Sequence, residues 1–139
     1  VSNISENKNI LINNISSVYE SESWGGIKQN SFLNMILEIS SSMKPLKLLQ
    51  YLKELETAIG RIQRAKWAER EIDIDIIFYG DIIFQNEKLT IPHPQMHDRK
   101  FVLIPMCELD KDFVHPVIGK NIETLLKNTN DKTSCVPYS

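Results

Sequence analysis

The chain has 139 residues, of which 42% are hydrophobic, and this length and composition suit one compact domain over residues 1–139. A formal net charge of -2 excludes the broad basic field that holds nucleic acid or anionic lipid, so we expect neither as a partner. No apolar run approaches the roughly 20 residues of a membrane span, and the polar residues after Val1 are unlike a signal peptide, so we expect a cytoplasmic protein.

Two segments with β-strand character open the chain. A β-branched, partly alternating stretch over residues 10–19 predicts a strand that runs toward Glu20. Residues 22–26 contain a pair of glycines and predict a mobile loop, after which residues 32–39 predict a second strand. The two strands are candidates for antiparallel pairing.

The clearest helix signal follows Pro45. Apolar residues recur at helical spacing from Leu46 to Ile59, and Gly60 is expected to end the helix. A cationic connection should follow it. Alternation over residues 72–79, closed by a Gly-Asp pair, then predicts a strand that ends in a turn.

The last third of the chain has weaker patterns. Residues 89–94 predict a proline-stiffened extended segment, and residues 101–108 predict a helix or strand that packs on the core. A short helix is predicted over residues 121–126, followed by a polar tail. Cys107 and Cys135 are too few and too differently placed for a disulfide framework, so we expect two free thiols.

Asp73 and Asp75 are the most informative pair of residues. In a strand their side chains leave one face together, while the neighbouring isoleucines enter the other. Two adjacent carboxylates repel each other unless a cation lies between them, and magnesium prefers one or two carboxylates plus phosphate oxygens and water. The alternation alone is more typical of a solvated acidic face on an edge strand.

A cationic segment directly upstream changes this balance. It contains Arg61, Arg64, Lys66 and Arg70, with Trp67 among them. Guanidinium and ammonium groups hold phosphate oxygens, and carboxylates hold the metal ions that accompany ATP. A solvated loop that pairs with nearby acidic side chains is the alternative. The two features together favour a site for a metal ion and a phosphate.

His93 lies between two prolines, a rigid context in which an imidazole can donate to a phosphate. By itself this tripeptide is more typical of a structural histidine. We expect His97 and His115 to be surface residues or to support their neighbours. None of the three histidines has the spacing of a zinc site.

Aromatic residues flank several of the polar motifs. Trp24, Phe32, Trp67 and Phe101 are candidates for stacking a flat heterocycle between two rings. For Phe32 and Phe101, ordinary packing in the core is an equally good interpretation.

In their order along the chain, these motifs resemble those of the 6-hydroxymethyl-7,8-dihydropterin pyrophosphokinase family of folate biosynthesis. The most specific part is Arg70 with the Ile-Asp-Ile-Asp run at 72–75, followed by Pro-His-Pro at 92–94. The other matching segments are residues 16–20, 32–34, 60–61, 67, 89–91, 96–99, 101–103 and 114–116.

The resemblance implies an α+β, ferredoxin-like fold with a mainly antiparallel sheet and helices packed on it, from which the given chain lacks the N-terminal strand. It implies transfer of pyrophosphate from ATP to the pterin hydroxymethyl group, with release of AMP. Asp73 and Asp75 would bind two magnesium ions, and Arg61 and Arg70 would act on the phosphates. The residues implied for ATP are Glu56, Arg64, Trp67, Ile76, Lys88, Thr90, His93 and Arg99. The residues implied for the pterin are Ser21, Trp24, Phe32, Asn34, Trp67 and Phe101.

The chain also departs from the family pattern. The family often has Trp-Gly-Pro-Arg where this chain has Trp-Ala-Glu-Arg at 67–70, and an arginine is common where this chain has Gln63. Arg64 is therefore expected to take over that phosphate contact.

Two rival classes of function are compatible with the sequence. One is a non-catalytic ferredoxin-like binding module, against which the intact acidic pair, Arg70 and His93 argue. The other is a different magnesium-dependent phosphotransferase or nucleotidyltransferase, against which Phe32, Asn34 and Phe101 argue. In every case we expect small-molecule ligands, and a monomer is compatible with the sequence.

Overall fold

The computed structural model describes residue 4 and residues 6–21, 32–66 and 72–138, and for residues 61–66 it describes the backbone alone. The structure is α+β, and every strand pairing among these residues is antiparallel. The strands are β1 Ile10–Ile15, β2 Tyr19–Ser21, β3 Phe32–Asn34, β4 Leu37–Ser41, β5 Phe84–Gln85, β6 Thr90–Ile91 and β7 Cys135–Pro137. The helices are α1 Pro45–Lys66, α2 Lys100–Asp110 and α3 Ile122–Asn128.

The strands form three small sheets: β1 with β4, β3 with β2 and β7, and β5 with β6. Each of the two long strands predicted near the start of the chain is therefore divided in two, although the predicted antiparallel pairing is confirmed. The division has a local cause at Ser16 and Ile36. Ser16 N donates to Ile36 O at 2.9 Å, and Ile36 N donates to Ser16 Oγ at 2.8 Å. These two hydrogen bonds hold the two segments of the chain together where each passes from one sheet to the next.

The predicted polar tail contains a strand that the sequence did not indicate. β7 pairs with β2, so that Tyr19 lies opposite Pro137 and Ser21 lies opposite Cys135. A strand of three residues that ends in proline is too short to show a period of two, and proline is confined to edge positions of a sheet. β7 is accordingly an edge strand.

The predicted end of α1 at Gly60 is wrong, because the helix continues to Lys66. A glycine ends a helix when it takes a positive φ after the last turn. Among the described glycines, Gly80 and Gly119 have a positive φ and Gly60 does not. The backbones of Arg61 and Arg64 therefore belong to the helix rather than to a connection.

Residues 72–79, which we call the acidic segment, do not form the predicted strand. Among the described residues none pairs with the segment in a β-ladder, and its polar backbone groups are bonded in other ways. Ile74 N donates to the Glu56 carboxylate, and His93 N donates to Ile77 O at 2.9 Å. The predicted alternation of exposure is present over residues 72–76 nonetheless, because Asp73 and Asp75 are exposed, Ile72 and Ile74 are half-buried and Ile76 is buried. The predicted turn is also present, closed by Ile82 N and Tyr79 O at 3.0 Å.

Two hydrophobic clusters hold these elements together. In the first, α1 contributes Leu48 and Leu52, which pack with Ile10, Ile76 and Ile91. In the second, α2 and α3 meet through the buried side chains of Leu103, Ile122 and Leu125. The rings of Phe78 and Phe113 pack against this cluster, tilted to each other and with their centres 4.8 Å apart. Since Ile76 belongs to the first cluster and Phe78 packs on the second, the acidic segment is anchored in both.

The helical alternative for residues 101–108 is confirmed, and α2 is attached to β2 by Glu108. The carboxylate accepts from Tyr19 Oη at 2.7 Å and from Ser17 N at 2.9 Å. The hydrogen bond to Glu108, together with burial, raises the pKa of Tyr19 to about 12. The short helix predicted near the end of the chain is also present, and Asn121 caps it by accepting from Thr124 N at 2.9 Å.

His115 is buried, so of its two expected roles the surface position is wrong and support of its neighbours is the one that the structure has. Its Nδ1 accepts from Val117 N and Ile118 N, both at 3.1 Å, and this organises the turn that follows. Burial lowers the pKa of His115, and the neighbouring His97 lowers it further. The ring acts as a neutral acceptor inside the structure.

Cys107 and Cys135 are both free thiols, as predicted. No helix in the described part of the chain has the length and apolar character needed to cross a membrane.

Candidate functional site

Charged side chains converge where the acidic segment meets α1. Lys53 Nζ lies 3.1 Å from Glu56 Oε2, 3.2 Å from Ile74 O and 4.0 Å from Asp75 Oδ1. Lys53 and Glu56 are three residues apart and so lie on one face of the helix. The Asp75 side chain is 45% exposed, which leaves its carboxylate open to a ligand.

His93 is attached to the acidic segment, because its backbone N donates to Ile77 O at 2.9 Å. Its Nδ1 accepts from Gln95 N at 3.2 Å, so the proton of the neutral ring is on Nε2. Burial lowers the pKa of His93, and the Asp75 carboxylate opposes that shift. The ring is therefore a neutral donor of one N–H near Asp75, a form that can bind a phosphate oxygen.

Asp73 and Asp75 have the donor chemistry of a magnesium site that includes a phosphate ligand. Both are exposed and lie on the side of the segment opposite the hydrophobic clusters. Within the described residues, no group of three or more His, Cys, Asp and Glu is placed to hold a metal ion by itself. One or two carboxylates are what magnesium takes from a protein when substrate phosphates and water complete its shell, so the residues fit.

A second group of predicted residues lies on β2 and β3. Ser21 pairs with Phe32 across these strands, and Asn34 Nδ2 lies 3.4 Å from Ser21 Oγ. Ser21 is buried, whereas Phe32 is 54% exposed. An exposed aromatic ring thus stands beside two polar side chains, as recognition of a flat polar heterocycle requires.

Phe101 is the second residue of α2, and its ring lies beside Arg99. The Arg99 guanidinium carbon lies 5.0 Å from the centre of the Phe101 ring, and Arg99 Nε lies 3.8 Å from Asp131 Oδ2. Asp131 also accepts from Lys100 N at 2.9 Å. Burial raises the pKa of Asp131, but hydrogen bonds from Thr133 and from Lys100 N outweigh it and the pKa is lowered. Asp131 thereby caps α2 from outside the helix.

The residues on β2 and the start of α2 lie at the same end of this pair of elements. Glu108, near the end of α2, contacts Tyr19, the first residue of β2. At the other end, Ser21 lies opposite Cys135, and burial raises the Cys135 pKa while nearby Lys100 opposes that change. Since Lys100 is the first residue of α2, its neighbour Phe101 lies toward the Ser21 end.

The remaining described candidates are near β5, β6 and the core. Ile76 is buried, which is compatible with the predicted contact through its backbone alone. Lys88 is exposed in the turn before β6, where its N–H donates to Asn86 Oδ1 at 2.8 Å. Thr90 is the first residue of β6, two residues before Pro92.

The other predicted residues are only partly described or not described. Arg61 and Arg64 lie in the last turns of α1, with side chains outside the description. Trp24, Trp67 and Arg70 lie outside the described residues.

Lys53 and Asp131 are the residues of this region that the sequence patterns did not indicate. Lys53 is three residues before Glu56 on a helix, a spacing that points to an ion pair but not to a ligand site. Asp131 lies in the predicted polar tail, and only its contact with the start of α2 reveals a role.

Three known relatives match most of the chain. The family model described as 7,8-dihydro-6-hydroxymethylpterin-pyrophosphokinase (HPPK) matches residues 1–111. The 2-amino-4-hydroxy-6-hydroxymethyldihydropteridine pyrophosphokinase of Aquifex aeolicus is 38% identical over 124 residues, which are 89% of this chain and 78% of that protein. The enzyme of the same name from Haemophilus influenzae is 42% identical over 113 residues, 81% of this chain and 71% of that protein. The Bifunctional protein FolKE of Lactococcus lactis is 46% identical over 105 residues, 75% of this chain and 30% of that protein.

The fold and these matches define an α+β enzyme of the pyrophosphokinase class. More particularly, the chain belongs to the 7,8-dihydro-6-hydroxymethylpterin-pyrophosphokinase family. The resemblance stated from the motifs is confirmed, and every candidate site residue lies within the matched residues 1–111.

Proposed function

We propose that the chain transfers pyrophosphate from ATP to the hydroxymethyl group of 6-hydroxymethyl-7,8-dihydropterin in folate biosynthesis. The observation that carries this proposal is the ion pair of Asp75 with Lys53 at 4.0 Å, beside a segment to which His93 N is bonded through Ile77 O, in a chain that belongs to this family. Small-molecule substrates, with ATP as co-substrate, follow from the activity.

In the proposed reaction, the pterin hydroxymethyl oxygen forms a bond to the β-phosphorus of ATP. The bond from that phosphorus to the oxygen bridging the α- and β-phosphates breaks, and AMP leaves with the bridging oxygen. The hydroxyl proton passes to solvent. The protein's part in such a transfer is mainly positioning of the reactants and stabilisation of the developing charge.

Asp73 and Asp75 would hold two magnesium ions, which supply positive charge to the phosphate oxygens of ATP. The exposure of both carboxylates and their position opposite the core support this assignment. His93 would donate its Nε2 proton to a phosphate oxygen, because its Nδ1 already accepts from the backbone.

The proposed ATP site extends along the chain on both sides of the acidic segment. Arg61 and Arg70 would act on the transferred phosphates. Glu56, Arg64, Trp67, Ile76, Lys88, Thr90, His93 and Arg99 would hold ATP. Two observations support this assignment. Lys88, Thr90 and His93 lie close together along the chain, in and around β6. The hydrogen bond from His93 N to Ile77 O attaches this part of the chain to the acidic segment.

The proposed pterin site combines β2, β3 and the start of α2. Phe32 and Phe101 would stack on the pterin ring and Asn34 would bond its polar edge. Ser21, Trp24 and Trp67 would complete the pocket. The exposure of Phe32 and the location of Ser21 and Phe101 at one end of their elements support this proposal.

We also propose that the antiparallel sheets and the helices belong to a ferredoxin-like arrangement, as the family resemblance implies. A single domain, a monomeric state, a cytoplasmic location and the lack of nucleic-acid partners stay predictions.

The test is formation of AMP from ATP and magnesium, with and without the pterin, by wild type and Asp75→Asn. Asp81→Asn is the matched control, because Asp81 is exposed in the turn that follows the same segment. We expect AMP that depends on the pterin, a loss of about 100-fold or more in Asp75→Asn, and wild-type activity in the control.

Three results would contradict the proposal and point to the rivals. A folded protein that binds the pterin but never forms AMP would be a binding module. Formation of ADP would indicate a different phosphotransferase. Equal activity of wild type and Asp75→Asn would remove the acidic pair from the reaction.

A further inference from the structure

Lys53 and Glu56 together form hydrogen bonds with both polar backbone groups of Ile74. The Glu56 carboxylate accepts from Ile74 N, and Lys53 Nζ donates to Ile74 O at 3.2 Å. The two side chains are themselves joined at 3.1 Å. We call this closed arrangement the Lys53–Glu56 bracket.

Ile74 is the residue between the two carboxylates of the site, and this gives the bracket its effect. The Ile74 N–H lies in the planar peptide that joins Asp73 to Ile74, and the Ile74 C=O lies in the planar peptide that joins Ile74 to Asp75. Fixing both groups fixes the orientation of both peptide planes. The direction in which each aspartate leaves the backbone is thereby set from α1.

The bracket takes the place that a β-ladder holds in a regular strand. None of the described residues pairs with residues 72–79 in a ladder, and the half-buried peptide groups of Ile74 need other partners. Side chains from a well-packed helix supply the missing partners. The helix is a firm base, because Leu52, the neighbour of Lys53, is 4% exposed in the first hydrophobic cluster.

Lys53 has the donor capacity that this position needs. An ammonium group has three N–H donors. Glu56 and Ile74 O take two of them, and Asp75 Oδ1 at 4.0 Å lies within ion-pair range of the same nitrogen. One cation therefore connects the backbone of the acidic segment with the carboxylate of Asp75.

We propose that Lys53 is a positioning residue of the pyrophosphoryl-transfer site, which it orients through Ile74 and Asp75; this rests on the proposed function. Lys53 thus connects the acidic segment to α1.

Amide hydrogen exchange of the ligand-free protein tests the bracket without any catalysis. Lys53→Met keeps the length and apolar stem of the side chain but removes the donors and the charge. We expect the Ile74 amide, which donates to the Glu56 carboxylate that Lys53 contacts, to exchange about 10-fold faster, with unchanged exchange in the two hydrophobic clusters. Lys47→Met is the matched control, because Lys47 is exposed on the same helix and forms no ion pair with the described residues.

Kinetics test the link from the bracket to the site. We expect Lys53→Met to lower kcat of pterin-dependent AMP formation by about 10- to 100-fold with little change in the KM for the pterin. Lys53→Arg should recover most of the lost kcat, because it keeps the charge and the donors. Lys47→Met should match wild type in both measurements.

The inference is overturned if Lys53→Met retains wild-type kcat, if its Ile74 amide stays protected, or if Lys53→Arg is as impaired as Lys53→Met. Faster exchange throughout the protein would also overturn it, since that result indicates a purely structural role. If wild type forms no AMP, the proposed function fails, while the exchange of the Ile74 amide still decides the bracket.

Discussion

Removal of the Tyr19 hydroxyl should weaken the attachment of α2 to β2 by a predictable amount. Tyr19 Oη donates to Glu108 Oε1 at 2.7 Å, and the same carboxylate accepts from Ser17 N at 2.9 Å. Tyr19→Phe removes the first of these bonds without changing the size of the ring. α2 begins with the residues beside the proposed pterin site, so the bond also matters for the position of Phe101.

The expected loss of stability follows from the environment of the bond. A hydrogen bond to a charged group contributes about 1.5–3 kcal/mol, but Glu108 is exposed and its carboxylate regains water in the variant, so we expect about 1–1.5 kcal/mol. For a chain of this length the midpoint of thermal unfolding should fall by about 4 °C. Tyr138→Phe is the control, because the Tyr138 side chain is 54% exposed, and it should cost less than about 0.5 kcal/mol.

The pH dependence has a defined sign. The hydrogen bond from Tyr19 lowers the pKa of Glu108, so its contribution to stability is present above the ordinary value of 4.5 and is lost as pH falls through the lowered pKa. The same bond raises the pKa of Tyr19 from 10.0 to about 12, so its contribution is complete below pH 10.0 and is lost as pH rises toward 12. Tyr19→Phe should flatten the alkaline change.

Urea unfolding followed by circular dichroism, for wild type, Tyr19→Phe, Glu108→Gln and the double variant, measures the coupling directly. We expect a coupling free energy of about 1 kcal/mol at pH 7. Additive effects of the two substitutions would refute the argument, and so would a full alkaline loss of stability in Tyr19→Phe.

Three further predictions address the core, the buried histidine and the pterin site. Ile122→Ala should lower the free energy of unfolding by about 2–5 kcal/mol, because the Ile122 side chain is 0% exposed. Val117→Ala is the control and should cost less than about 0.5 kcal/mol, because Val117 is 61% exposed. Equal losses for the two variants in urea unfolding would contradict the prediction. Because burial lowers the pKa of His115 from 6.5, its contribution to the free energy of unfolding should be lost as pH falls below 6.5. His115→Asn keeps a hydrogen-bond acceptor and should make this loss smaller. A variant with the same dependence of stability on pH as wild type would contradict the prediction. Phe32→Ala should raise the KM for the pterin by about 10-fold with stability within about 0.5 kcal/mol of wild type, whereas an unchanged KM would remove Phe32 from the pterin site.

Structure that follows from a regular pattern of apolar and polar residues was predicted well from the sequence. The helical spacing of Leu48, Leu52 and their neighbours located α1, and the alternation around Asp73 and Asp75 located which side chains are exposed. Both predictions depend on local geometry, in which the direction of a side chain follows from its position along the chain. The short helix predicted over residues 121–126 is also present, at Ile122–Asn128.

The errors arise where distant contacts decide the local structure. The acidic segment has the composition of a strand, but Glu56 and Lys53, 18 and 21 residues from Ile74, bind its backbone instead. The role of Gly60 depends on its φ, which composition does not reveal. β7 exists because Tyr19 to Ser21 offer an edge to residues more than a hundred positions later.

The central claim is that a pyrophosphoryl unit, and not a single phosphate, moves from ATP to the pterin. Phosphorus NMR of a reaction with ATP, magnesium and 6-hydroxymethyl-7,8-dihydropterin tests it most directly, because AMP and a pterin diphosphate have separate signals. The account predicts that both appear together in equal amounts and only when the pterin is present. ADP with a pterin monophosphate, or inorganic pyrophosphate released without a pterin product, would contradict it.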